Sequence, residues 1–186
     1  MPSDTAAKLA DYRRRITELR REMRAIRAAA APEEVRDYAF ATPESRVRLS
    51  ELFGAQRDLI MIHNMGVSCP NCTLWADGYN GIYHHLVERA AFVISSPDPP
   101  EVQRAFAAAR GWRFPMVSHQ GTTFAADMGF RSEHGWRPGI SVFRKDGARI
   151  LRVADTPCDI GDDFCALWHL FDLLPEGAAG FRPKIS

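Results

Sequence analysis

Cysteine is scarce, with four in 186 residues, too few for the disulfide frameworks that hold small secreted domains together. No uninterrupted apolar run approaches the roughly 20 residues that a bilayer-spanning helix needs. Nothing apolar follows Met1-Pro2-Ser3-Asp4 in the way a secretory signal requires. Charge of one sign is missing too: the net is +1, so no global field points to nucleic acid or to a membrane surface. Repeats and low-complexity tracts are absent. The expectation is a cytoplasmic chain with thiols reduced at rest and neither nucleic acid nor membrane as partner. What the chain does have is apolar material, 46% of its residues, enough for a sizeable core in one domain plus an appendage.

One stretch organises the rest, running from Asp58 to Asp77. Leu59 to Ile62 is a short apolar run of the kind expected of a buried parallel strand. Gly66 and Ser68 punctuate it. Pro70 suits the first turn of a helix, where its missing N–H would have had no partner. From Thr73 onward Leu74, Trp75, Tyr79, Ile82, Tyr83 and Leu86 recur at helical spacing. Cys69 and Cys72 thus fall at a strand-to-helix junction. The first sulfur meets unpaired N–H groups and the positive end of the helix dipole, which lower a thiol pKa. The second lies one turn on, within reach of a disulfide. That is the layout of a redox dithiol, with an attacking and a resolving thiol.

Ahead of this junction, residues 4–30 read as a long amphipathic helix capped by Ser3 or Asp4. Leu9, Tyr12, Ile16, Leu19, Met23 and Ile26 alternate in steps of three and four, a heptad-like seam. The segment holds eight basic and four acidic residues, so it carries +4 and the remainder −3. Nucleic-acid or anionic-surface binding is the sharp reading of that charge. A solvated helix face is preferred, because no aromatics interleave with the arginines. Such a seam calls for a partner, and a homodimer through this helix is the expectation. The chain accordingly divides into 1–31, the helical extension, and 32–186, the folded domain.

Short strands are expected at Tyr38–Phe40 and Val47–Leu49, with a single turn from Ser50 to Gly54. A second buried strand follows at Ala90–Ile94, a helix at Glu101–Arg110 and a short strand at Trp112–Val117. Residues 118–137 show few periodic cues and read as an insertion or long connection. Gly139–Phe143 and Ala148–Val153 form strands around Asp146-Gly147, a strong hairpin signal. A last helix is expected over Asp162–Leu174, with Phe164, Leu167, Trp168, Phe171 and Leu174 as its apolar face. A parallel βαβ start, an antiparallel hairpin and a closing helix make an α/β fold of thioredoxin order, a three-layer α/β/α sandwich with a mixed sheet.

These residues resemble a known family. Leu49 to Cys72, Asp77 to Gly81, Trp112 to Val117 and Pro138 to Phe143 are similar to the thioredoxin-like proteins filed as domain of unknown function 899, over most of the chain. Tyr38–Phe53 resembles the opening hairpin of the peroxiredoxin and alkyl-hydroperoxide-reductase branch. The resemblance implies that Pro138 is a cis-proline facing the cysteines, with nearby backbone free to pair with an extended substrate. It also puts His63 where thioredoxins keep a buried acid, so that a neutral imidazole takes the Cys72 proton. The chain departs from the pattern at Ser68, where the family's tryptophan stands, and at Gly66, where peroxiredoxins keep a threonine.

The candidate site is therefore Cys69, Cys72 and His63 for chemistry, with Pro138, Arg137 and Trp75 for substrate. The reaction expected is thiol–disulfide exchange with a disulfide-containing or oxidised-thiol partner, without metal or cofactor. A non-catalytic binding module and a thiol peroxidase remain open beside it. A zinc site completed by His84 or His85 is the weaker option, because both lie more than three helical turns from the pair. Arg137 is read as a cation near the thiolate or as a merely exposed side chain, Trp75 as pocket wall, and Asp77 as a surface carboxylate. Cys165 is read as a small buried hydrophobe. Cys158 is a free thiol or a distal redox partner, with the free thiol preferred.

Overall fold

A computed structural model describes residues 3–185. Helix α1 (Ser3–Ala29) leads into an eight-stranded mixed sheet. The strands are β1 (Glu33–Val35), β2 (Ala39–Ala41), β3 (Arg46–Arg48), β4 (Asp58–His63), β5 (Ala91–Ser96), β6 (Met116–Ser118), β9 (Gly139–Asp146) and β10 (Arg149–Pro157), in the order β1-β10-β9-β4-β5-β6-β2-β3. β4, β5 and β6 run parallel, and the remaining pairs are antiparallel. Helices α2 (Pro70–Arg89) and α3 (Pro100–Arg110) connect the parallel strands. The short α4 (Phe124–Asp127), the two-stranded hairpin of β7 (Arg131–Ser132) and β8 (Gly135–Trp136), and α5 (Ala166–Phe171) complete the chain. Among the described residues no helix is long and apolar enough to cross a membrane.

The apolar run of β4 is buried on both faces, as the sequence indicates. Leu59 and Met61 join a core with Phe40, Leu49, Phe53, Phe124 and Phe143. Ile60 and Ile62 face the opposite core, with Trp75, Tyr79, Phe92, Ile94 and Trp168. The alternation follows from side chains pointing to opposite faces along a strand. One layer is thus α2, α3 and α5, the middle is the sheet, and the other layer is α4 with the turns after β3.

Three expectations need correction. Residues 118–137 are no bare connection: α4 is anchored by fully buried Phe124, and the β7–β8 hairpin follows, with Arg131 stacked over Trp136. The closing helix is shorter than 162–174, because Asp162 is used to build a turn. Its carboxylate accepts the N–H groups of Asp159 and Phe164, so the helix starts only at Ala166. The peptide bond before Pro138 is trans, as are the others among the described residues. Sheet pairing accounts for it: the Arg137 N–H donates to the Phe130 carbonyl, and the Pro138 carbonyl accepts the Cys158 N–H at 3.0 Å, so the chain passes extended into β9.

Helix α1 lies where its charge pattern suggests. Asp4–Lys8, Asp11–Arg14 and Glu18–Arg21 pair along it, and Arg20 reaches Asp163 at 2.6 Å. The residues of its seam all face solvent, from Leu9 at 37% to Ile26 at 70% exposed.

Candidate active site

The loop between β4 and α2 is fixed by side chains rather than by the sheet. Asn64 accepts the Gly66 N–H through its side-chain oxygen at 2.7 Å. The Asp98 carboxylate accepts the Val67 N–H at 3.0 Å and the Ser96 hydroxyl at 2.8 Å. Gly66 has φ +111°, and a Cβ there would stand 3.0 Å from an Asp98 oxygen. This position therefore needs glycine twice over, for its backbone and for its space.

Cys69 is the N-cap of α2 and Pro70 its first residue. The Cys72 N–H donates to the Cys69 sulfur at 3.2 Å, as a capping side chain would be served. The Cys69 thiol is held down at about 6. Hydrogen bonding from the Cys72 thiol is the largest cause, and the N–H groups of Cys72 and Asn71 add to it against partial burial. The effect on Cys72 is the reverse: its bond to Cys69 and its burial push it up. Cys72 is 4% exposed, and its sulfur accepts the Met65 N–H at 3.4 Å. No disulfide joins the two sulfurs. The pair is thus one acidic, partly accessible sulfur and one buried, protonated neighbour.

His63 ends β4, fully buried. Its Nε2 is 2.8 Å from the Ser141 hydroxyl, and its ring stacks on Phe130 with centroids 4.0 Å apart. Burial, aided by His119 and Arg152, holds its pKa well below the ordinary value, so the ring is neutral. Its Nδ1 is buried without a hydrogen-bond partner. His63, Cys72, Trp75, Tyr79, Pro138 and Cys158 share a cavity of about 10 Å³, roughly the space of one water.

An open cleft of about 640 Å³ lies alongside. Trp75, Arg137 and Pro138 all line it, with Met65 and Asn71 from the cysteine loop and helix. The three residues expected to meet substrate therefore stand together. Trp75 is a buried wall, its indole N–H donating to Asp162 at 3.2 Å. Asp77, expected at the surface, instead pairs with Arg110 and accepts the Trp112 indole N–H, tying α2 to the end of α3. The His84 and His85 rings lie beside each other, tilted by 43°, and among the described residues no group of three or more metal-ligating side chains gathers.

Sequence reasoning passed over the placement of Cys158, which lines both the small cavity and the cleft. Phe130, the ring that packs His63, was equally hidden, in the stretch without periodic cues. The sequence marks Cys158 as a thiol just after the return strand, read as a free thiol in preference to a distal redox partner, and nothing local places it at the cavity.

Solved structures share the architecture. A peroxidoxin, BcpB from Mycobacterium tuberculosis, is 23% identical, covering 73% of this chain and 88% of its own, with a TM-score of 0.59. A peroxiredoxin Q variant from Xanthomonas campestris is 15% identical over 73% of this chain and 90% of its own, with a TM-score of 0.57. Reduced Prx3 from Vibrio vulnificus is 13% identical over 72% and 89%, with a TM-score of 0.56. At these identities the likeness establishes the thioredoxin-type fold and not the activity. No curated protein matches the sequence. The cysteine loop, the sheet that presents it and all but the first turn of the arginine-rich helix lie within residues 6–182, the span over which the chain matches, and so belongs to, the family described as "Bacterial protein of unknown function (DUF899)".

Proposed function

We propose that the protein is a thiol–disulfide oxidoreductase acting through Cys69 and Cys72. The observation that carries this is the Cys72 N–H directed at the Cys69 sulfur at 3.2 Å where that sulfur caps α2, which favours Cys69 as the attacking thiolate at neutral pH. Cys69 attacks one sulfur of a substrate disulfide; the substrate S–S bond breaks, a mixed disulfide forms and the other substrate sulfur leaves as thiolate. Cys72 then attacks Cys69, closing the Cys69–Cys72 disulfide and releasing the second substrate thiolate. The pair is oxidised and the substrate reduced by two electrons.

Cys72 must shed a proton to attack. The proton acceptor we assign is His63, which is neutral and borders the same small cavity as Cys72; burial keeps the imidazolium unfavourable and drives the proton onward. Substrate docks in the cleft between Trp75 and Pro138, with Arg137 at its edge. The partner is a disulfide or oxidised thiol, the setting is the cytoplasm, and the exposed α1 seam pairs two chains. Reduction of insulin disulfides tests the mechanism: C69S abolishes it, and C72S stops after one mixed disulfide. Turnover by C72S equal to the unmodified chain overturns the two-cysteine scheme.

A thiol peroxidase is the second reading, favoured by the fold shared with peroxiredoxins. Gly66 leaves Cys69 without the neighbouring threonine hydroxyl of that branch. Sustained hydroperoxide turnover by C72S, with insulin untouched, selects it. An inert pair with an ordinary Cys69 pKa leaves a binding module.

A further inference from the structure

Cys158 has two faces. Cys158 ends at the small cavity shared with Cys72 and also borders the open cleft. Its backbone N–H is tied to the Pro138 carbonyl at 3.0 Å, which fixes it beside the proposed substrate wall. The Tyr79 hydroxyl, on a residue 7% exposed, is buried without a well-formed hydrogen bond. It lines the same small cavity as the Cys158 thiol. A buried hydroxyl is costly to leave unsatisfied. The small cavity is thus walled by two thiols and an unpartnered hydroxyl inside an otherwise apolar core.

We infer that Cys158 is a third redox thiol, which attacks Cys72 in the Cys69–Cys72 disulfide to form a Cys72–Cys158 disulfide and set Cys69 free as a thiolate. The inference rests on the Cys69/Cys72 chemistry proposed above. The exchange balances without an outside oxidant: the Cys69–Cys72 bond breaks, the Cys72–Cys158 bond forms, and the Cys158 proton passes to solvent through the cleft. Its direction follows from the surroundings of the three sulfurs. Cys69 is a good leaving group because its thiolate is stabilised at the helix terminus. Burial pushes Cys72 up and Cys158 up to about 12, so neither gains from remaining a thiolate. A disulfide between two such thiols is favoured over one that sequesters the acidic sulfur. The consequence is that the attacking thiol is regenerated before any reductant arrives, and the stored oxidising equivalent is discharged from the cleft side, where Cys158 lies.

The test uses the full-length C69S protein treated with stoichiometric diamide, followed by peptide mass spectrometry under non-reducing conditions. A Cys72–Cys158 crosslink is the expected product. In the oxidised unmodified chain Cys69 should remain open to iodoacetamide, and C158S should lose that labelling because the Cys69–Cys72 disulfide is then trapped. The relay is overturned if C69S gives no such crosslink and oxidised C158S and unmodified chains label alike while Cys69–Cys72 still closes; the two-cysteine reading then stands alone. If no disulfide forms in any variant, both readings fall together.

Discussion

Phe130 lies face to face with His63, centroids 4.0 Å apart, and the same ring fills the space beside Gly139. A Cβ on Gly139 would come within 1.9 Å of the Phe130 ring. Gly139 pairs with His63 in the sheet, so one aromatic ring fixes a proposed catalytic histidine and the strand beside it. Gly139→Ala should destabilise the fold by about 1–3 kcal/mol through overpacking, read from the urea midpoint at unchanged m-value. In a Phe130→Ala background, which alone should cost about 3–5 kcal/mol, the added alanine should cost much less. Additive effects of the two changes would rule out the contact as the cause.

The acidity of Cys69 has a pH signature. With the folded value near 6 and the unfolded thiol near 8.5, the thiolate contributes its full stability to the reduced protein above about 8.5. That contribution is lost as pH falls through about 6. Reduced protein should therefore become more stable, relative to C69S, as pH rises between these values. Iodoacetamide labelling of Cys69 should show a midpoint near 6, and Cys72→Ala should move it upward while leaving it short of 8.5, because the N–H of residue 72 and that of Asn71 remain as donors. A midpoint unmoved by Cys72→Ala would remove the thiol hydrogen bond as the cause.

How much of this was legible in the sequence depends on how local each cause was. The buried run of β4, the Pro70 helix start and the cysteine spacing are set within a few residues, and they appear where the pattern puts them. Strand β1 was missed: Glu33-Glu34-Val35 has no alternation to speak of, and it is a strand only because β10 offers it an edge. The α4 region was missed for a related reason, since Phe124 becomes an anchor only when Tyr38, Phe40 and His63 close around it. Cys158 belongs to the site because β10 lies beside β9, and β9 beside β4, an order that no local pattern encodes.

The loop before Cys69 depends on Asp98, which is remote in sequence. Asp98→Ala removes the acceptor for the Val67 N–H and the Ser96 hydroxyl. It should cost about 1–3 kcal/mol, the penalty of leaving buried partners unsatisfied. It should also slow disulfide reduction, because the cysteine loop loses its anchor. Asp98→Asn, which keeps one acceptor oxygen, should recover most of the activity. Equal damage from both substitutions would assign the effect to charge instead of to the hydrogen bond.

The α1 seam yields the last expectation. Tyr12, Ile16, Leu19, Met23 and Ile26 stand 47–70% exposed along a 27-residue helix whose described ties to the rest of the chain centre on Arg20 and Asp163. A helix draws most of its stability from burying an apolar face, and among the described residues nothing covers the face this one presents at heptad spacing. Two chains pairing their seams would cover it, although the net +4 of each helix opposes the contact at low salt. Light scattering at moderate ionic strength should therefore give twice the chain mass of 20.9 kDa, with the dimer weakening as salt is lowered. Leu19→Glu with Met23→Glu should return the single-chain mass and leave the Cys69 labelling midpoint where it was, since the seam lies apart from the cysteine loop. A single-chain mass for the unmodified protein at every salt concentration would remove the second copy as the occupant of this face.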